Sequence, residues 1–245
     1  MSEKVWFITG ASRGFGREWA IAALDRGDKV AATARDTATL ADLAGKYGDA
    51  LLPIRLDVTD READFAAVKQ AHDKFGRLDI VVNNAGYGQF GFIEELSEAD
   101  ARDQIETNVF GALWVTQAAL PYLRAQGSGH IIQVSSIGGI TAFPLVGMYH
   151  ASKWALEGFS QSLASEVAPF GVHVTLTDRA GRLLHRLGRL LGQTCCPACR
   201  LRRGPRGGAT RPRPAQRQAR RSEGVGRGGA QDRRRREPAP AGVLR

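Results

Sequence analysis

Tyr149 and Lys153 stand four residues apart in "YHASK", so on a helix they share one face. A free phenol titrates near 10 and carries protons poorly at neutral pH. An ammonium beside it favours the phenolate and brings the group towards the working range of a general acid/base. Ser136 closes the run "GHIIQVSS" ahead of Tyr149, where its hydroxyl can polarise a carbonyl or hold an alcohol. Together these three suit proton transfer at a carbon–oxygen bond. Each also has a plain alternative: a tyrosine packed on an amphipathic helix, a solvated lysine, a serine in a turn.

A second group lies near the start of the chain. "TGASRGFG", Thr9 to Gly16, follows an apolar run and precedes a helical one. Gly10, Gly14 and Gly16 allow a tight turn and close approach of a ligand to the backbone. The helix that follows offers free N–H groups and its positive end to a pyrophosphate. The spacing is G-x-x-x-G-x-G, which differs from the general G-x-G-x-x-G dinucleotide pattern.

The elements that must position these residues alternate along the chain. Strand-like runs "KVWFIT", "KVAATAR", "LLPIRLDV", "LDIVVNNAG", "GHIIQVSS" and "VHVTL" are separated by helical patterns, among them one over 37–48, a long one over 98–126 and one over 149–171. Strands linked through helices imply right-handed crossovers and a parallel sheet. Runs apolar on both faces imply helices on each side. The expectation is a doubly wound parallel α/β sheet of the Rossmann type, with ligands beyond the carboxyl ends of the strands.

In these motifs the chain resembles the short-chain dehydrogenase/reductase family over about residues 1–176. The resemblance rests on "TGASRGFG", "LDV" with Asp57, "NNAG" (Asn83 to Gly86), "TNVFG" with Asn108, "VSS" and "YHASK", in the family's order. It implies an NAD(P)-dependent oxidoreductase acting on a carbonyl or secondary alcohol. Tyr149 would be the general acid/base and Ser136 would orient the substrate oxygen. Lys153 would hold the nicotinamide ribose and tune Tyr149, and Asn108 would support a water in a proton relay. Cofactor contacts would come from Gly10, Ser12, Arg13, Gly14, Phe15, Gly16, Arg35, Asp57, Val58, Asn84, Ala85, Gly86, Tyr149 and Lys153. No metal is expected. Read alone, Asn108 could equally cap a break in a helix.

The choice of dinucleotide turns on "ATARD". An acid at the end of the second strand binds the ribose diol of NAD, whereas arginine accommodates the extra phosphate of NADP. Arg35 there, with Arg13 in the glycine turn, favours NADP, since two guanidiniums suit one phosphate. The contrary reading leaves Arg35 solvated and gives the ribose to Asp36. Phe90, Phe92, Ile140 and Phe143 near the expected pocket suggest an apolar ketone, although such residues are commonly plain core.

The net charge of +9 resembles that of a nucleic-acid binder, but it averages two unlike halves. Residues 1–177 carry 15 basic against 21 acidic side chains, and residues 178–245 carry 19 arginines against 4 acids. All three cysteines, Cys195, Cys196 and Cys199, lie in the second part, which has no Lys, Ile, Asn, Phe or Tyr. We read 1–177 as the dinucleotide-binding domain and 178–245 as a frame-shifted, disordered tail. The bias towards Arg, Gly, Pro and Ala is that of a GC-rich gene read out of frame. Codons for Asp178 to Arg189 can be chosen so that starting one base later gives Thr-Glu-Pro-Gly-Gly-Tyr-Ser-Thr-Asp-Trp-Ala. That restores the Pro-Gly-x-x-x-Thr segment with which the family follows its sixth strand.

The C-terminal part of the fold is therefore expected to be missing or replaced, leaving an unprotected sheet edge and no substrate lid. The literal chain would then fold poorly or lack turnover, as a non-catalytic dinucleotide-binding protein. A nucleic-acid arm fused to the enzyme-like domain would fit the charge, but it lacks stacking aromatics. A lone C-x-x-C is a poor zinc site, and "RLLHRLGRLLG" could form a basic surface helix. The expected partner is a small-molecule ketone or alcohol, with no nucleic acid and no membrane. Homo-oligomers are usual in the family but doubtful for this chain. The start "MSEKVWFITG" shows no leader, and no apolar run approaches the roughly 20 residues that span a bilayer, so a cytoplasmic protein is expected.

Overall fold

The computed structural model describes residues 3–177, all within one unit of the chain. The frame-shifted reading of 178–245, and with it the second domain, lies outside the described residues. The described strands are β1 (Val5–Ile8), β2 (Lys29–Ala34), β3 (Leu51–Arg55), β4 (Ile80–Asn83), β5 (Gly129–Val134) and β6 (Val172–Thr177). Every pairing is parallel, in the order β3-β2-β1-β4-β5-β6. The expected doubly wound sheet is thus present, and among the described residues β3 and β6 form its edges.

Alternation along each strand divides the core between two faces. Phe7, Ala31, Val81 and Ile131 pack on one side, with Ala67, Val68, Val115 and Leu123 from α3 (Arg61–Phe75) and α5 (Gly111–Gln126). Ile8, Ala32, Val82 and Val134 face the other, with Ala20 and Leu24 of α1 (Gly14–Asp25) and Leu43 of α2 (Ala41–Tyr47). A sheet covered on both faces leaves its strand ends as the open surface. The amino-terminal end is closed by two buried acids. Asp28 accepts from Lys4 N at 3.0 Å and Trp6 Nε1 at 2.8 Å, and Asp79 accepts from Val5 N at 2.9 Å and Arg77 Nε at 2.9 Å. The carboxyl end is left for chemistry. There the chain order reverses between β1 and β4, the crevice where such sheets bind ligands.

Three segments differ in detail from the sequence reading. The stretch 37–48 begins as a 3-10 turn, Thr37–Leu40, because the Asp36 carboxylate caps it by accepting from Ala38 N at 2.9 Å. The helical run over 98–126 is two helices, α4 (Glu98–Ile105) and α5, joined by a π-helical turn, Glu106–Phe110. The helix bearing Tyr149 starts two residues earlier than its motif and is α6 (Gly147–Val167). Among the described residues no helix is long and apolar enough to cross a membrane, and no group of three or more His, Cys, Asp or Glu could hold a metal ion. The cysteines lie outside the described residues.

Candidate active site

The glycine turn and the end of β4 are stapled together by Thr9. Its buried Oγ1 accepts from Asn84 N and Ala85 N, each at 3.0 Å, and donates to Val82 O at 3.3 Å. Asn84 Nδ2 returns the contact to Thr9 O at 2.8 Å and Gly10 O at 3.0 Å. Gly10 adopts φ +65°, and a Cβ on Gly16 would lie 2.5 Å from Asn84 Nδ2 and 2.6 Å from Gly10 O. Small residues are needed there because the two loops touch backbone to backbone.

The helix behind this turn is open at its amino end. Arg13 occupies the cap position of α1 without a side-chain hydrogen bond, and no acid stands in the first turn. Its leading N–H groups therefore have no side-chain cap, an arrangement suited to an anion. Arg13 and Arg35 are both exposed and form no ion pair among the described residues. The alternative ribose ligand, Asp36, is also exposed and accepts from Ala38 N through Oδ1 at 2.9 Å. Asp57 is exposed, with Oδ1 accepting from Thr59 N at 3.1 Å and Thr59 Oγ1 at 2.9 Å, while Val58 is buried against Gly111.

Asn108, Lys153 and Tyr149 gather on the β4–β5 side, and all three are more than nine-tenths buried. The π turn carries Asn108 inward, where Nδ2 donates to Tyr87 O at 2.9 Å and Ser152 Oγ at 3.0 Å, and Oδ1 accepts from Tyr87 N at 3.1 Å. Asn108 is thus neither a cap nor a helix break. It is the internal tie of a widened turn, a device found at functional sites. A Cβ on Gly86 would meet Asn108 Oδ1 at 2.9 Å and Lys153 Nζ at 3.9 Å, so this glycine makes room between the two. Lys153 Nζ donates to Val134 O at 2.7 Å and stands 5.9 Å from the centre of the Tyr149 ring.

Ser136 is fully buried at the end of β5, its Oγ accepting from Gly138 N at 3.1 Å. Tyr149 flanks the same glycine: a Cβ on Gly138 would lie 3.2 Å from Tyr149 Cε1. Phe90 and Phe143 pack against Tyr149 and Val146, whereas Phe92 and Ile140 are more than half exposed. A groove of about 490 Å³ runs beside them, lined by Phe92, Ile93, Glu94, Phe143, Pro144 and Leu145. Leu145 holds φ +73°, fixed where Gly91 N donates to its carbonyl at 2.9 Å.

Sequence reasoning missed several residues that organise this region. Thr9 and Ser152 lie inside quoted motifs, and Ser152 Oγ, three residues beyond Tyr149, donates to Tyr149 O at 2.7 Å. Gln104 is fully buried and grips Gln89 N at 2.7 Å and Tyr87 O at 3.0 Å, with no sequence signal to announce it. Ser135 Oγ donates to Glu157, and His150 is buried beside Tyr149.

Comparisons with known proteins bear on the family and the fold. The family model described as short chain dehydrogenase matches residues 4–179. The chain is 48% identical over 179 residues to "Oxidoreductase BOA17" of Botryotinia fuckeliana, covering 73% of this chain and 65% of that relative. A crystal structure of a short-chain dehydrogenase from Streptomyces avermitilis superposes with TM-score 0.71 at 46% identity, over 73% of this chain and 65% of that one. A 3-ketoacyl-(acyl-carrier-protein) reductase from Brucella melitensis, complexed with NADH, gives TM-score 0.69 at 32% identity, over 72% and 75%. The chain therefore spans 65% of the length of the first curated relative it matches.

Proposed function

The chain belongs to the short-chain dehydrogenase family, and from that premise we propose that it interconverts an apolar ketone and its secondary alcohol, using NADP(H) and Tyr149 as general acid/base. The observation that carries this reading is the buried grouping of Tyr149, Lys153 and Asn108 beside an uncapped helix end. Tyr87, Gly86 and Ser152 link that grouping. The residues present fit a dinucleotide. The turn at Gly10 and Gly16 admits no side chain, and the leading N–H groups of α1 suit its phosphates. The hydride chemistry is what the nicotinamide supplies when bound.

The chain's own residues manage the proton and the orientation. The Lys153 ammonium near the phenol favours the phenolate and so eases proton exchange between Tyr149 Oη and the substrate oxygen. Ser136 offers a hydroxyl at the end of β5 to hold that oxygen. Asn108 uses both amide hydrogens on Tyr87 O and Ser152 Oγ, which leaves the second lone pair of Oδ1 for a relay water. Phe90 and Phe143 favour an apolar substrate next to Tyr149.

The preference for NADP rests on exposed Arg13 and Arg35. The Brucella relative was solved with NADH, which supports a nicotinamide dinucleotide in general. The test is oxidation of NADPH and NADH by the 245-residue chain across a panel of apolar ketones. Turnover with NADPH preferred is expected, and turnover with NADH alone would reverse the cofactor assignment. A second reading, dinucleotide binding without turnover, is favoured by the composition change after Thr177. NADPH binding with no oxidation of any ketone would select it.

A further inference from the structure

His150 is buried in the first turns of α6, directly after Tyr149. Its ring bridges two points of the loop that leads from Ser136 to the helix. Nδ1 lies 2.9 Å from Gly138 O, and Phe143 N donates to Nε2 at 2.8 Å. A backbone N–H can only donate, so Nε2 must be the acceptor and Nδ1 must carry the proton. The ring is therefore a neutral Nδ1–H imidazole that donates to Gly138. Its approach is close: a Cβ on Gly138 would lie 2.7 Å from Nδ1, and the Phe143 ring is centred 5.5 Å away.

The loop clamped in this way carries groups that matter to the site. Ser136 stands at its start, Ile140 is 57% exposed on its crest, and Phe143 packs against Tyr149. Its other bonds around the crest are local, from Gly139 N to Ser136 O and from Ile140 N and Thr141 N to Ile137 O. These hold the turn together without attaching it to α6. The two His150 bonds attach it.

We propose that His150 is a positioning residue: as a neutral Nδ1–H ring it ties Gly138 and Phe143 to α6 and so sets the apolar wall that seats a substrate beside Tyr149. What is seated there rests on the carbonyl–alcohol reading above, whereas the clamp does not. Leucine would leave Gly138 O and Phe143 N–H without their partner. Glutamine keeps one donor and one acceptor on a single amide and can restore both contacts.

The test uses the full 245-residue chain. In ¹⁵N spectra of histidine-labelled protein at neutral pH, His150 is expected to show a protonated Nδ1 and an unprotonated Nε2. The opposite tautomer overturns the proposal. Exchange of the Phe143 amide should speed up by about tenfold in His150→Leu and return most of the way in His150→Gln, and unchanged exchange in both overturns it. In kinetics, His150→Leu should raise KM for a bulky aryl ketone by about tenfold while kcat, and KM for a small ketone, stay within about threefold. An equal loss on both ketones marks a merely structural residue and overturns the proposal. If no ketone is turned over, the carbonyl reading fails, and the tautomer and exchange measurements still decide the clamp.

Discussion

Asp64 lies in the first turn of α3 with no exposure, and neither carboxyl oxygen has a hydrogen-bond partner among the described residues. Burial pushes its pKa up to about 8, and the charges of Asp60 and Asp57 push the same way. In an unfolded chain an aspartate titrates near 3.9. Between those values the unfolded state has released a proton that the folded state keeps, so stability falls as pH rises. The contribution is fully present below about pH 4 and is lost by about pH 8. At about 1.4 kcal/mol per unit, the window is worth on the order of 5 kcal/mol, a large part of the roughly 5–15 kcal/mol that holds a domain together. A charged aspartate near a helix start would gain only about 0.3–1 kcal/mol from the dipole, so desolvation decides the sign. Asp64→Asn cannot ionise. In urea unfolding at steps from about pH 5 to 8, the variant should gain on the parent by about 1.4 kcal/mol per unit. Parallel stability profiles for the two proteins over that range would refute the reasoning.

Three further outcomes are expected. Gly16→Ala places a methyl 2.5 Å from Asn84 Nδ2, so it should break the Asn84 staple and weaken NADPH binding by at least about tenfold, as measured by calorimetric titration. Arg35→Ala should weaken NADPH binding by about 10- to 100-fold and leave NADH binding unchanged, because only the extra phosphate loses a charge-assisted partner. Asn108→Ala strands Tyr87 N–H and leaves Tyr87 O with Gln104 as its one remaining donor, which should cost about 1–3 kcal/mol in urea unfolding and lower kcat as well.

The sheet was legible because its strands are short apolar runs closed by turn residues and buried on both faces. All six strand-like runs coincide with described strands. The chemical motifs were legible because their spacing survives in one dimension: Tyr149 and Lys153 share a helix face, as their separation of four requires. What was hidden depends on distance along the chain. Thr9 acts through Asn84 and Ala85, some 75 residues away, and nothing local marks it as the junction of two loops. The π turn at Glu106–Phe110 leaves no compositional trace, since one extra residue per turn changes where Asn108 points without changing what surrounds it in sequence. The cap that Asp36 supplies to the following turn went unread, since in sequence a capping carboxylate looks the same as a ribose ligand. His150 sits in plain view beside Tyr149, yet its role needs the loop folded back upon it.

The direct trial of the catalytic account is single-turnover reduction of an apolar ketone by NADPH with Tyr149→Phe, in the 245-residue chain and in one re-read in the shifted frame after Thr177. The variant should still bind NADPH and lose about 10²- to 10⁴-fold in rate at saturating cofactor, the contribution of a positioned acid/base. A rate within a few-fold of the parent would contradict the assignment of the proton to this phenol.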